Sequence, residues 1–312
     1  MEYLFTKGKR GGFTLTLIVL GVWTLFVIVT FLSPTDQASS RYGLTPTQIN
    51  FVRGTIVLPY LFIWLTLLTA IIRFRNYTTL VANSLEGEGF KRMTRVLWLL
   101  LGVLILPPFI NLISTYAPQL RKFVVITSQY TSIVLYFLAF WQLYVASGHF
   151  LNTLHTRINY AKKWKPIVVS GMIVLTTFYV RLLFLNPYRT TSADPRILPT
   201  YFLPDWLIVL TILLPYIAIW LYGFLGVANI LDYSKNVSGN IYRKAFNRIA
   251  VGFGIITLLL ITLQLLSQVG AFQGRATITV VLILVYIILL IIAFQYLFIA
   301  KGAKLLTDIE KV

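Results

Sequence analysis

The 312-residue chain contains no cysteine. Disulfides, thiolate-ligated zinc or iron–sulfur centres and thiol catalysis are therefore excluded. Acid is scarce: nine Asp and Glu stand against 27 Lys and Arg, a formal net charge of +18. Glu2, Asp36, Glu86, Glu88, Asp194, Asp205, Asp232, Asp308 and Glu310 all fall in loops, tails or the ends of apolar runs. Ion-coupled transport and intramembrane metal chemistry usually place an ionisable group inside the membrane, so this distribution disfavours both. Histidine is limited to His149 and His155. Six positions apart, they match neither a zinc-site spacing nor paired haem ligands, and they read as surface residues. No Walker motif, nucleophile elbow or dinucleotide fingerprint is present. Enzyme is the least favoured class, and no metal or cofactor is expected.

What the chain has in excess is apolar residues, at 58%, with only 12% charged. A soluble domain carries about a quarter charged residues, so this chain must bury apolar surface in lipid. About 20 mostly apolar residues cross the hydrocarbon layer. Eight stretches qualify: Phe13–Leu32, Gly54–Ile72, Val96–Tyr116, Phe123–Ser147, Ile167–Leu185, Trp206–Ile230, Ile249–Gln268 and Thr277–Ala300. The expected fold is an all-α integral membrane protein with eight transmembrane helices. The first stretch is too long for a signal-peptide core and lacks a clear cleavage site.

Orientation follows from the basic residues. Nineteen of the 27 fall at the N-terminus, in the loops after spans two, four and six, and in the C-terminal tail. Seven, namely Arg41, Arg53, Arg121, Lys122, Arg189, Arg196 and Arg275, fall on the other side, and Arg181 lies within span five. The positive-inside rule then puts both termini in the cytoplasm, in a plasma or inner membrane. The same residues make anionic head groups the expected partners at the cytoplasmic face. No basic stripe with interleaved stacking aromatics stands outside the membrane, so nucleic acid is not expected. The sequons at Asn76 and Asn236 fall on the cytoplasmic side and should stay unused.

One segment occurs twice. Leu58-Pro59-Tyr60-Leu61-Phe62-Ile63-Trp64 returns as Leu214-Pro215-Tyr216-Ile217-Ala218-Ile219-Trp220, an offset of 156 in 312 residues. Identities at the same offset include Thr55/Thr211, Leu65/Leu221, Tyr77/Tyr233 and Val81/Val237. Nearby offsets pair Lys91 with Lys244, Arg95 with Arg248 and Asn111 with Gln264; later ones pair Ala139-Phe140 with Ala293-Phe294. Four spans per copy means both copies enter the membrane in the same sense. The expectation is two parallel four-helix repeats, residues 1–155 and 156–312, about a pseudo-two-fold axis along the membrane normal.

The repeated face is aromatic and proline-kinked, and all but two of its identities share one 180° arc. Each proline frees a carbonyl, at Thr55 and Thr211, that needs company in lipid. Two readings stay open: a packed inter-repeat interface, or the wall of a ligand cavity. Tyr60, Trp64, Tyr216 and Trp220 carry the second, with Asn111 and Gln264 as intramembrane polar groups. Pro107-Pro108, beside Asn111, should break or strongly kink span three. Gln129, Gln142 and Gln295 fit interhelical hydrogen bonding. Arg181 is near enough to the outer end to snorkel, or could join Arg53, Arg189 and Arg196 in an outer anion site. The functional expectation is a membrane protein that binds or passes a neutral or lipid-like ligand without ion coupling. The competing expectation is a non-catalytic membrane subunit or sensor that holds a partner at its basic cytoplasmic face.

Overall fold

The computed structural model describes residues 17–18, 20–25, 27–28, 31, 46–116, 121–154, 205–270 and 275–309. At 48–49, 51–52, 55–56, 85, 107–116, 121–130, 205–215, 261, 264–270 and 275–282 it describes the backbone only. Among these residues the structure is all-helical, without strands. Six long helices follow one another: α1 (Pro46–Leu80), α2 (Leu85–Tyr116), α3 (Arg121–Thr153), α4 (Asp205–Asn236), α5 (Asn240–Gly270) and α6 (Arg275–Ile309). The described residues among 17–31 are helical too and pack on this set through Val22, Trp23 and Val27.

Four segments of the described residues are long and apolar enough to cross a membrane: Val57–Leu80, Thr131–Thr153, Tyr216–Asn236 and Ile283–Ile309. This is the make-up of an integral membrane protein. The helices outrun the apolar stretches of the sequence. At 1.5 Å per residue, the 35 residues of α1 span roughly 50 Å, well beyond the ~30 Å of hydrocarbon. Their extra turns carry the charged residues clear of the apolar zone.

Local chemistry sets the tight ends. Between α1 and α2, Ser84 caps the second helix: its Oγ accepts from the Gly87 amide at 2.9 Å, and Glu86 and Glu88 occupy the first turn, where the dipole favours acid. Between α4 and α5 the turn needs Gly239, whose φ of +114° suits no β-carbon. Gly87 and Gly89 lie inside α2, where a Cβ at Gly89 would sit 2.5 Å from the Phe150 ring. Close approach, not chain reversal, explains that glycine.

Pro107-Pro108 is a further correction. The pair was expected to break or strongly kink the helix; it does not break it, and α2 runs as helix through it to Tyr116. In hydrocarbon, unwinding exposes backbone groups that no water can satisfy, so keeping the helix with two bonds missing costs less than opening it.

Each helix packs on its neighbours in the series, and α6 closes the circuit onto α1. Directions follow from which ends meet. Asn229 of α4 donates to Ser147 Oγ of α3 at 3.1 Å, and Arg73 of α1 donates to the Ala300 carbonyl of α6 at 3.4 Å. Thus α1, α3, α4 and α6 run parallel, with α2 and α5 antiparallel between them. The outward faces carry Leu58, Phe62, Ile217, Phe224, Leu258, Ile287 and Phe294, all exposed apolar side chains. On a water-facing surface such faces would aggregate; on a lipid-facing one they are at home.

Candidate functional site: an intramembrane tyrosine cluster above an aromatic plug

The repeated Pro-Tyr face does not behave alike in its two copies. In α1, Trp64 and Ile63 are fully enclosed and Tyr60 is half-buried against the core. Leu58, which falls outside the shared arc, is exposed, as is Leu221, the counterpart of Leu65. In α4, Ile219 is buried, while Tyr216 and Trp220 are half-buried. The Trp220 indole nitrogen is nevertheless enclosed and makes no hydrogen bond.

The two repeated tyrosines meet two others. The Tyr136 phenol of α3 lies within electrostatic reach of Tyr296 on α6, Tyr60 on α1 and Tyr216 on α4. The other three parallel helices thus each place one phenol within electrostatic reach of Tyr136. A phenol both donates and accepts, so the cluster can hydrogen-bond a ligand carbonyl or hydroxyl without placing a charge in the membrane. Nearly two turns along α4 from Tyr216, Tyr222 is buried between Phe137 (5.5 Å, edge-on) and Tyr144 (5.9 Å). Its hydroxyl is enclosed and makes no hydrogen bond. At the equivalent place in α1, Thr66 satisfies itself on the Phe62 carbonyl at 2.7 Å. The Trp220 and Tyr222 donors are both buried without a hydrogen bond, a cost of about 1–3 kcal/mol each.

Toward the charged end the interior is filled by aromatic rings. Tyr77 meets Phe90 at 4.6 Å and 75°, and Tyr233 meets Phe246 at 4.6 Å and 71°. Phe150 of α3 stands at 5.0 Å from Phe90, 5.3 Å from Phe246 and 5.6 Å from Tyr233. Phe90 and Phe246 touch across the middle at 5.7 Å. Edge-to-face and tilted pairs at these distances are favourable ring contacts, and together they make a dry plug.

These pairs correct the register read from sequence. Tyr77–Phe90 and Tyr233–Phe246 have the same spacing and similar geometry, which favours an offset of 156 for any repeat continuing into α2 and α5. Phe90 then matches Phe246, Arg92 matches Arg248, and Glu88 matches Lys244. The pairings Lys91/Lys244 and Arg95/Arg248 do not hold: identical basic letters outweighed ring packing that a sequence does not display. In α3 and α6 the burial pattern fits an offset of 153. Phe140 is buried while Phe294 is 65% exposed, and Ala293 takes the buried place.

Below the plug the polar contacts are few. Glu88 lies 3.6 Å from Arg92 Nε and 3.8 Å from Lys91, and Arg92 Nη1 donates to Gln142 Oε1 at 3.2 Å. His149, expected at the surface, is half-buried beside Arg92 and Glu88. It is drawn in because α3 continues as helix to Thr153 and carries it along the α2 seam. Ser234 Oγ donates to Asn247 Oδ1 at 2.6 Å, tying α4 to α5.

Other sequence-derived site residues divide as follows. Arg53 is half-buried on α1, and burial lowers its pKa. Arg181, Arg189, Arg196 and His155 lie outside the described residues, as do the side chains of Asn111, Gln129 and Gln264. Tyr136, Tyr222 and Tyr296 do not stand out in the sequence, because the repeat marks identities and none of the three has a tyrosine counterpart. A mid-span tyrosine, far from the interfacial belt, was the usable signal. No group of His, Asp or Glu able to hold a metal occurs among the described residues. Comparison with known proteins gives no match by family model, by similarity to curated proteins or by fold to solved structures.

Proposed function

We propose that the chain is an eight-span membrane protein of two parallel four-helix repeats, 1–155 and 156–312, that binds a neutral or lipid-like ligand between them. The observation that carries this reading is the four-phenol cluster, one tyrosine from each parallel helix. Enclosed Trp220 and Tyr222 donors, within two turns of Tyr216 along α4, add hydrogen-bonding capacity without charge. The repeat is supported by packing. Exchanging α1 with α4, α2 with α5 and α3 with α6 maps the circuit of helix contacts onto itself. The aromatic plug closes the charged end, so the reading is binding from the opposite side or from lipid, with no catalysis and no ion coupling. The plug also favours the second reading, a non-catalytic subunit that meets its partner at the basic cytoplasmic face.

Orientation is tested by single cysteines, which the cysteine-free chain permits directly. Cysteines at Ser40, Thr190 and Gln273 should react with an impermeant thiol reagent in intact cells, and those at Ser84, Thr156 and Ser238 should not. Reversed labelling would overturn the topology with both termini inside.

Ligand binding is tested on the phenols. Purified wild-type protein should carry an apolar compound into organic extracts, detected by mass spectrometry. Replacing Tyr60, Tyr136, Tyr216 and Tyr296 with Phe removes up to four hydrogen bonds of about 1 kcal/mol each. The variant should retain at least roughly tenfold less of the compound at equal protein. Identical extracts from the two proteins would remove the ligand reading and leave the partner-binding one.

A further inference from the structure

The two halves differ most sharply in charge at one equivalent place, the cytoplasmic end of the α2–α3 seam and of the α5–α6 seam. In the first half, Arg92 is neutralised by Glu88 at 3.6 Å and engaged by Gln142 at 3.2 Å. At offset 156, Lys244 replaces Glu88 while Arg248 keeps the arginine. At offset 153, Lys301 replaces Gly148. One acid has been exchanged for a base and one base has been added. Among the described residues no carboxylate pairs with Arg248, Lys244 or Lys301, since the ion pairs found there are both made by Glu88.

The three bases share one groove. Gly302 lets α6 press onto α5: a Cβ there would lie 2.8 Å from the Ile249 side chain and 3.4 Å from Arg248 Cβ. Lys301 stands one turn after Phe298 on α6, and Lys244 stands one turn before Arg248 on the same flank of α5. The Arg248 guanidinium carbon sits 5.7 Å from the centre of the Phe298 ring. Stacking on a ring face leaves the in-plane N–H fork open, the geometry that grips a phosphate. Lys244 and Lys301 are exposed, so their ammonium groups can converge from either side. Asp308 stands two turns beyond Lys301, at the far end of α6.

The next level down is apolar. Phe294 is 65% exposed and Val251 43% exposed, flanking the same seam where acyl chains would run. Free phosphate would find the bases but gain nothing from that floor. We propose that the α5–α6 seam binds an anionic phospholipid, its phosphate held by Arg248, Lys244 and Lys301 and its chains laid over Phe298, Phe294 and Val251. This site is separate from the tyrosine cluster and does not depend on it. It makes the second half the lipid-gripping half, while the first half has cancelled the same arginine internally.

The test uses the full-length protein in a zwitterionic detergent, titrated with short-chain phosphatidylglycerol and followed by native mass spectrometry. Each basic residue near a membrane surface contributes about 1 kcal/mol toward anionic lipid, so Lys244→Gln and Lys301→Gln should each weaken binding by roughly fivefold. Arg248→Gln combined with Lys301→Gln should weaken it by roughly thirtyfold on the same scale. Lys91→Gln with Arg95→Gln, which removes equal charge from the first half, should leave the tight lipid in place. Equal weakening by the first-half pair would show diffuse surface charge and overturn the proposal. Equal affinity for phosphatidylcholine, or displacement by equimolar inorganic phosphate, would overturn it as well. Lys244 and Lys301 are exposed, so their variants keep the test decisive should the arginine variant fold poorly.

Discussion

Phe150→Ala should lower the unfolding free energy by about 3–5 kcal/mol, measured by reversible unfolding in mixed micelles. The side chain is fully enclosed and makes ring contacts with Phe90, Tyr233 and Phe246, from three different helices. Helices in a bilayer gain nothing from leaving water, so their association rests on packing and interhelical hydrogen bonds. A void at this point removes contacts from α2, α4 and α5 together. Gly89 leaves that ring space on the α2 side, where a Cβ would lie only 2.5 Å from the ring, so this position has no side chain of its own to refill the void. Phe294→Ala is the control, because its ring faces outward at 65% exposure. A loss below roughly 0.5 kcal/mol is expected there. Equal effects at the two positions would refute the packed plug.

The second large effect separates the two repeated tryptophans. Trp64→Ala should cost about 3–5 kcal/mol, since its indole is wholly enclosed. Trp220→Ala should cost roughly half as much, because part of its ring surface is open and only its nitrogen edge is enclosed. Thermal unfolding of both variants in the same detergent reads the difference. Indistinguishable losses would mean that the repeated face plays one structural role in both halves.

Much of the architecture could be read from residue order alone. Apolar runs located the helices, Ser84 and Gly239 lie at the two tight turns, and a scarcity of acid kept charge out of the middle. The repeat also pointed to Tyr60 and Tyr216, two of the four clustered phenols. Their partners, Tyr136 and Tyr296, escaped because a shared motif selects for sameness, and a two-fold site need not be lined by identical residues. The register error at Lys91 and Lys244 has the same origin. Short stretches of matching letters were allowed to shift the alignment, whereas the ring pairs Tyr77–Phe90 and Tyr233–Phe246 hold one constant spacing.

The sequence by itself determined that this chain is helical and belongs in a membrane. Each of these depends on composition summed over 20 or so residues, and such sums survive any error in packing. Only the tertiary structure decided which face of each helix turns inward. A helix in lipid can be apolar all round, so periodicity does not mark its buried side. The closing of α6 onto α1, the approach of three other phenols to Tyr136, the glycine contact between α6 and α5 at Gly302 and the cancelling of Arg92 by Glu88 all follow from that choice of face. They are pairings between distant segments, and side-chain fit between helices settles them where hydrophobicity is indifferent.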